Sequence, residues 1–246
     1  MERQVSPTDS PQVFLPSRRE ERASALLLLS LLAYVVVGTF LEDDILAEGF
    51  LLLSLYVTLL AVTFYLSTKR TRLWPGVVLA IVVGIMTTII LFNRARTVAI
   101  VFWSVLILFF GFVISRLLIH MGRPGPVTTG RLYVAVSLYL LVGILWFAGY
   151  NLLEAVHPGS FAQPALLGAP ASRVPARAFL YFSFETITTL GYGDILPVTP
   201  KARSLAVLEA AAGILYIAVA VSRLVASYQA GYQIGAQDQT PPQTRL

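Results

Sequence analysis

Cysteine is absent from the chain, which excludes disulfides and thiolate metal sites and leaves the redox compartment open. Charge is scarce too: Asp, Glu, Lys and Arg make up 13% of the 246 residues, against 57% hydrophobic ones. Mean hydropathy is +0.75. A soluble domain of this length cannot hide so much apolar surface, so the solvent around most of it must be a bilayer. The two histidines, His120 and His157, fall in separate loops. They form no paired metal-ligand set, and isolated loop histidines are more often incidental than pH sensors. A nucleophile elbow and a phosphate-binding loop are also missing, which argues against a membrane enzyme.

What remains is apolar sequence in long runs. Residues 23–41, 49–66, 74–92, 98–119, 132–153 and 202–227 each approach the length of about 20 residues that a spanning helix needs. A seventh run, residues 177–188, is too short to span. It suits a re-entrant helix, tolerated at membrane depth where protein or a water-filled cavity covers the loop that follows. Residues 1–22 carry Pro7, Pro11, Pro16 and several charges, and read as a disordered N-terminus. They do not resemble a cleaved signal peptide, because the next apolar run is long and lacks a small-residue cleavage site.

The net charge of +5 is informative by position. Arg18, Arg19 and Arg22 precede the first run, Lys69, Arg70 and Arg72 follow the second, and Arg116, Arg123 and Arg131 surround the fourth-to-fifth connection. The positive-inside rule puts these regions in the cytoplasm. The first external loop carries Glu42, Asp43, Asp44 and Glu48 instead, while Arg94 and Arg96 run against the pattern. The expected protein is multi-pass in a cell membrane, with both termini cytoplasmic. Its parts are the N-terminus 1–22, a four-helix transmembrane domain 23–121, a cytoplasmic linker 122–130, a pore-like domain 131–228 and a cytoplasmic tail 229–246. The linker contains Gly122-Arg-Pro-Gly-Pro126, which cannot continue a helix. Thr128 or Thr129 is an N-cap candidate for the fifth helix.

Between Thr188 and Asp194 the chain reads Thr-Thr-Leu-Gly-Tyr-Gly-Asp. A dehydrated cation needs oxygens in place of its water shell, so a backbone that binds one must aim successive carbonyls at one axis. Gly191 and Gly193 enter positive φ without a Cβ clash, as that geometry requires. Thr189 adds a hydroxyl oxygen, and Tyr192 can pack outward to hold a ring's diameter. The plain alternative is a glycine turn joining two helices, but such a turn has no use for Thr, Tyr and Asp in this order.

The motif resembles the selectivity filter of tetrameric potassium channels, with Leu190 where the family pattern Thr-Val-Gly-Tyr-Gly has Val. The resemblance extends along residues 131–228. Residues 179–189 look like the family's pore helix, Leu196-Pro-Val-Thr199 like the turn after its filter, and Gly213 like its hinge glycine. It implies an all-α membrane protein: six transmembrane helices, a re-entrant pore helix and a filter loop. One loop cannot surround an ion and no second copy of the motif occurs in the chain, so a cyclic homotetramer is implied. The implied activity is passive K⁺ conduction, with the ion held at Thr189, Leu190, Gly191 and Tyr192 and the filter completed by Gly193. Expected partners are K⁺, the bilayer and identical copies; no organic cofactor and no nucleic acid is expected. The chain departs from several relatives in Leu190, in having no regulatory domain after the last helix, and in a front end without voltage-sensor arginines. Such a sensor needs basic residues at every third position of one span, and residues 98–119 contain only Arg116.

Supporting residues follow from the same resemblance. Glu185 and Asp194 correspond to a carboxyl pair behind the filter that shares a proton, since two poorly hydrated carboxylates cannot both ionise cheaply. Tyr181, one turn earlier, can donate to the pair, and Thr188 supports the filter's base. In the other reading Glu185 is solvated in a crevice and Asp194 faces the outer mouth. The pore helix also points the negative end of its dipole at the pore centre. Glu209 inside the last run has two readings, a structural bond to the pore helix or a nearby hydroxyl, and a direct ion site. Arg223 reads as a snorkelling anchor. Gly213, Ile217, Val221 and Val225 share one helix face, either lining an apolar inner vestibule that gates by dewetting or packing on the fifth helix. Beside potassium selectivity stand a weakly selective cation channel and a non-conducting accessory subunit.

Overall fold

The computed structural model describes residues 18–40, 74–93, 95–122, 128–163 and 174–237, with positions 49, 56, 57 and 59. The expectations for the run 49–66, for Arg94, and for residues 1–17, 123–127 and 238–246 lie outside the described residues. Among the described residues the helices with defined bounds are α1 Arg18–Phe40, α2 Trp74–Phe92, α3 Arg96–Met121, α4 Thr129–Val156, α5 Ala178–Ile187 and α6 Pro200–Gln237. Two short strands, β1 Phe161–Ala162 and β2 Leu196–Pro197, flank α5.

The helices start where capping chemistry allows. The Thr128 side chain accepts from Arg131 N at 3.3 Å and opens α4, satisfying one of the N–H groups that a helix start leaves free. Thr199 accepts from Ala202 N, also at 3.3 Å, and Pro200 takes the first position of α6, where its missing N–H costs nothing. The run 74–92 is helical over the same bounds. By contrast, α6 continues to Gln237, beyond the apolar limit at 227. Hydropathy marks where the membrane ends, and nothing forces the helix to stop there: the next proline is Pro241. At ~1.5 Å per residue its 38 residues extend roughly 57 Å, well past a hydrocarbon core of about 30 Å.

α4 is the hub. α1, α3, α5 and α6 all pack on it, and α2 packs on α3. α3 buries Phe102, Leu106, Phe109, Phe110, Val113 and Leu117, a 3.6-residue stripe, and α4 buries Val134, Leu138, Leu141, Ile144 and Ala148. Among the described residues three helices are long and apolar enough to cross a membrane: Arg96–Met121, Thr129–Val156 and Pro200–Arg223.

α5 is held in place by aromatic rings and by the strands on either side of it. Phe182 meets Tyr150 edge-on at 4.9 Å between centroids, and Phe161 meets Phe179 at 4.8 Å. β1 pairs antiparallel with β2, Phe161 opposite Pro197 and Ala162 opposite Leu196. The segment before α5 is therefore tied to the segment after the loop. Asn151 adds a bond from α4 to the turn entering α5, donating to Ala176 O at 3.1 Å.

Candidate functional site

α5 ends at Ile187, and the chain turns back on its last carbonyls. Thr188 N donates to Phe184 O at 3.2 Å and Thr189 N to Thr186 O at 2.9 Å. Leu190 N and Gly191 N then share Glu185 O, at 2.8 and 3.3 Å. The Thr188 hydroxyl donates to Phe184 O at 2.6 Å. The pore-helix end thus absorbs the N–H groups of the first half of the loop, and the opposite side of that backbone keeps its carbonyls.

Positive φ occurs at every second residue: 60° at Thr189, 57° at Gly191 and 78° at Gly193. In a strand the carbonyls alternate sides; alternating handedness of φ is the backbone pattern that turns them to one side. Glycine adopts it freely. Thr189 is β-branched, so its left-handed conformation costs on the order of 1–2 kcal/mol and must be held by its surroundings. Residues 188–193 are exposed in the single chain, Leu190 at 55% and Tyr192 at 68%.

Behind the loop, Tyr181, Glu185 and Asp194 come together, with the Tyr181 hydroxyl bonded to both carboxyl groups. Glu185 also takes a bond from the Tyr192 backbone. Its carboxyl titrates above the ordinary carboxylate range, first because burial disfavours the charge and second because Asp194 lies beside it. α5, at 10 residues, is too short to span a membrane. One oxygen of each acid, Glu185 Oε2 and Asp194 Oδ1, is buried without a hydrogen-bond partner.

α6 meets the other face of the pore helix. A Cβ on Gly213 would overlap the Ile187 carbonyl oxygen and lie 2.7 Å from Ile187 Cγ1, so Gly213 seats the end of α5. The Tyr139 hydroxyl donates to the same carbonyl at 3.2 Å. Ile217 and Val221, lower on α6, are exposed; the Val225 side chain lies outside the described residues. One turn above Gly213, Glu209 is fully buried. It touches the Tyr150 hydroxyl through Oε2 and Ser183 Oγ through Oε1, at 2.5 Å.

Two polar fixtures near the C-terminal end of α4 had no signal in the apolar pattern. The Glu154 carboxylate accepts from Gly159 N at 2.8 Å and Ser160 N at 3.0 Å, fixing the turn that leads into β1. Arg96 donates to Ala155 O at 2.7 Å and Val156 O at 2.5 Å. It caps α4, a structural use for an arginine that runs against the charge pattern. Only a count of the free carbonyls at the end of α4 could have suggested it.

Residues 175–230 match the family described as ion channel. The chain is similar to the inward rectifier potassium channel Kirbac3.1 of Paramagnetospirillum magnetotacticum, 35% identical over 96 residues, 37% of this chain and 28% of that protein. It is also similar to two pore potassium channel c of Oryza sativa subsp. japonica, 30% identical over 103 residues, 42% of this chain and 20% of that protein. The matched stretch therefore spans less than a third of either relative. The residues matched to that family comprise α5, the loop after it and most of α6. Over that stretch the chain carries an ion channel domain and is similar in sequence to two potassium channels.

Proposed function

We propose that the chain is one of four identical subunits of a potassium-selective channel, in which K⁺ moves passively through a ring of carbonyls from Thr189, Leu190, Gly191 and Tyr192. The observation that carries this reading is the loop backbone, with φ positive at Thr189, Gly191 and Gly193 and the N–H groups of Leu190 and Gly191 turned onto Glu185 O. Carbonyls freed on one side can replace an ion's hydration shell. The exposure of residues 188–193 supports the tetramer, because irregular backbone at membrane depth needs protein or a water-filled cavity around it. A four-fold axis supplies both. In this reading six spans place both termini in the cytoplasm, Ile217, Val221 and Val225 line the inner vestibule, and K⁺ is the permeant ion with no organic cofactor.

A second reading, weak selectivity among monovalent cations, is favoured by the exposure of Leu190. The residue is 55% exposed in its own subunit, so the filter's diameter depends on how a neighbouring copy receives it. Flux of K⁺ against Na⁺ into liposomes holding the purified protein, across pH and voltage, tests both. Potassium flux with sodium excluded is the expected result. Equal fluxes favour the second reading, and no flux favours an accessory subunit.

A further inference from the structure

A chain of three close oxygen contacts crosses the protein behind the pore helix. Tyr150 Oη meets Glu209 Oε2; Glu209 Oε1 lies 2.5 Å from Ser183 Oγ; Ser183 Oγ lies 2.7 Å from the Gly143 carbonyl oxygen. Tyr150, Ser183 and Glu209 are all fully buried. The contacts join α4, α6 and α5, then return to α4.

Three contacts between oxygens need three hydrogens. The Tyr150 hydroxyl supplies one, the Ser183 hydroxyl one, and the Gly143 carbonyl none. If Glu209 were a carboxylate, Ser183 could serve only one of its two acceptors, and two oxygens would face each other with nothing between them. The count closes in one way: Glu209 carries a hydrogen on Oε1 and donates it to Ser183, Ser183 donates to Gly143 O, and Tyr150 donates to Oε2. Each hydroxyl then donates once, and both Glu209 Oε2 and Ser183 Oγ accept once.

We propose that Glu209 is a neutral acid and a positioning residue, whose hydrogen clamps the pore helix between α4 and α6 and so sets the stance of the filter. Ser183 stands two residues before Glu185, whose carbonyl holds Leu190 N and Gly191 N. One turn along α6, Gly213 seats Ile187. Clamp and seat together bind α6 to the second half of α5, so a shift of α6 at this level must be felt by the loop. The polar groups facing the carboxyl are Tyr150 and Ser183, with Tyr139 of α4 in electrostatic range. The consequence for conduction rests on the channel reading; the protonation state does not.

The test has two arms on the full-length purified protein. Infrared spectra at neutral pH are expected to contain the carbonyl stretch of a protonated carboxyl group that disappears in Glu209→Gln. That stretch should shift in Tyr150→Phe and Ser183→Ala and persist in Glu185→Gln, the control for the other buried acid. Identical wild-type and Glu209→Gln spectra in that region would overturn the proposal. In the flux arm, Glu209→Gln should retain most of the wild-type K⁺ flux, since its amide accepts from Tyr150 and donates to Ser183. Ser183→Ala and Tyr150→Phe each remove a hydrogen that the clamp needs, and flux should fall by about tenfold, the scale of one buried polar group left unpaired. Full flux in both would remove the positioning role. A wild type that passes no ion defeats the channel reading, while the infrared arm still decides whether Glu209 is neutral.

Discussion

In α1–α3 the hydroxyls of Ser30, Thr87, Thr88, Ser104 and Ser115 bond back to carbonyls three or four residues earlier on the same helix. In α4–α6 those of Tyr139, Tyr150, Ser183 and Tyr216 cross to another helix. Lipid is as apolar as leucine, so no hydrophobic force fixes helix register inside a bilayer; shape and cross-helix hydrogen bonds must do it. The pore half uses both. In the front half, small residues admit large neighbours, as Gly76 does the Phe112 ring. The cross-helix hydroxyl bonds gather around α5 and its neighbours, although Ser222 of α6 bonds back to Ala218 O on its own helix.

The largest expected effect lies where directional geometry is strictest. Gly191→Ala puts a Cβ on a residue at φ 57° with open space around it, so the penalty is conformational. Roughly 1–2 kcal/mol per subunit, repeated around a four-fold ring, should abolish selectivity or conduction while assembly continues. Bi-ionic reversal potentials and native mass spectrometry check the two halves of that statement. Wild-type selectivity in the mutant would remove the filter assignment.

A pair of glycines sets the two halves side by side. Gly213→Ala drives a methyl into the Ile187 backbone carbonyl, whereas Gly76→Ala meets only the edge of the Phe112 ring. A backbone oxygen in a bonded turn cannot move aside, while a ring at a helix surface can rotate. Overpacking of the first kind costs about 1–3 kcal/mol, and the second should cost clearly less. Apparent melting temperatures in detergent give the ranking; equal losses would mean that the front half is pinned as tightly as the pore.

Legibility in the sequence follows the same division. The loop was readable because few purposes need Thr, Gly, Tyr and Gly in that order, and the expected positive φ at Gly191 and Gly193 is present. That Glu209 would bond to the pore helix or a nearby hydroxyl, as it does to Ser183, followed from the rule that a membrane carboxyl seeks a partner. Tyr150 as the other partner did not, because a tyrosine in an apolar run carries no mark of which helix it faces. Helix extents came from hydropathy, so they held for residues 74–92 and fell short for α6, which continues past the apolar run to Gln237.

Glu185 sharpens the comparison through titration. Its carboxyl titrates above the ordinary 4.5, because of burial and then the charge of Asp194. Above that value the folded protein binds this proton more tightly than the unfolded chain does. Stability should therefore rise as pH falls toward 4.5, and be lost again as pH climbs through the raised value. Glu185→Gln should flatten that part of the melting profile; an unchanged profile would return the residue to a solvated role. Single-channel records of Glu185→Ala, Asp194→Asn and the double mutant should differ from wild type in how long conduction persists, with little change in K⁺/Na⁺ preference. Strictly additive effects would mean that the two acids do not interact.

The smallest effect is expected at a bridge between the halves that uses charge. Arg96, at the start of α3, gives two N–H groups to the last carbonyls of α4, Ala155 O and Val156 O. That position explains why an arginine stands in a loop where the charge pattern expects none: a cation is favoured where a helix ends in unpaired carbonyls. The site is exposed, so Arg96→Ala should lower stability by only about 0.5–1 kcal/mol at low salt, and by less as salt screens the interaction. Arg96→Lys should recover part of the loss, since a single ammonium cannot fork onto two carbonyls as a guanidinium does. Melting temperatures at two salt concentrations measure this, with K⁺ flux in liposomes alongside. Unchanged flux would leave the front half a packed support; flux falling as far as in Ser183→Ala would show that the front half holds the filter through α4.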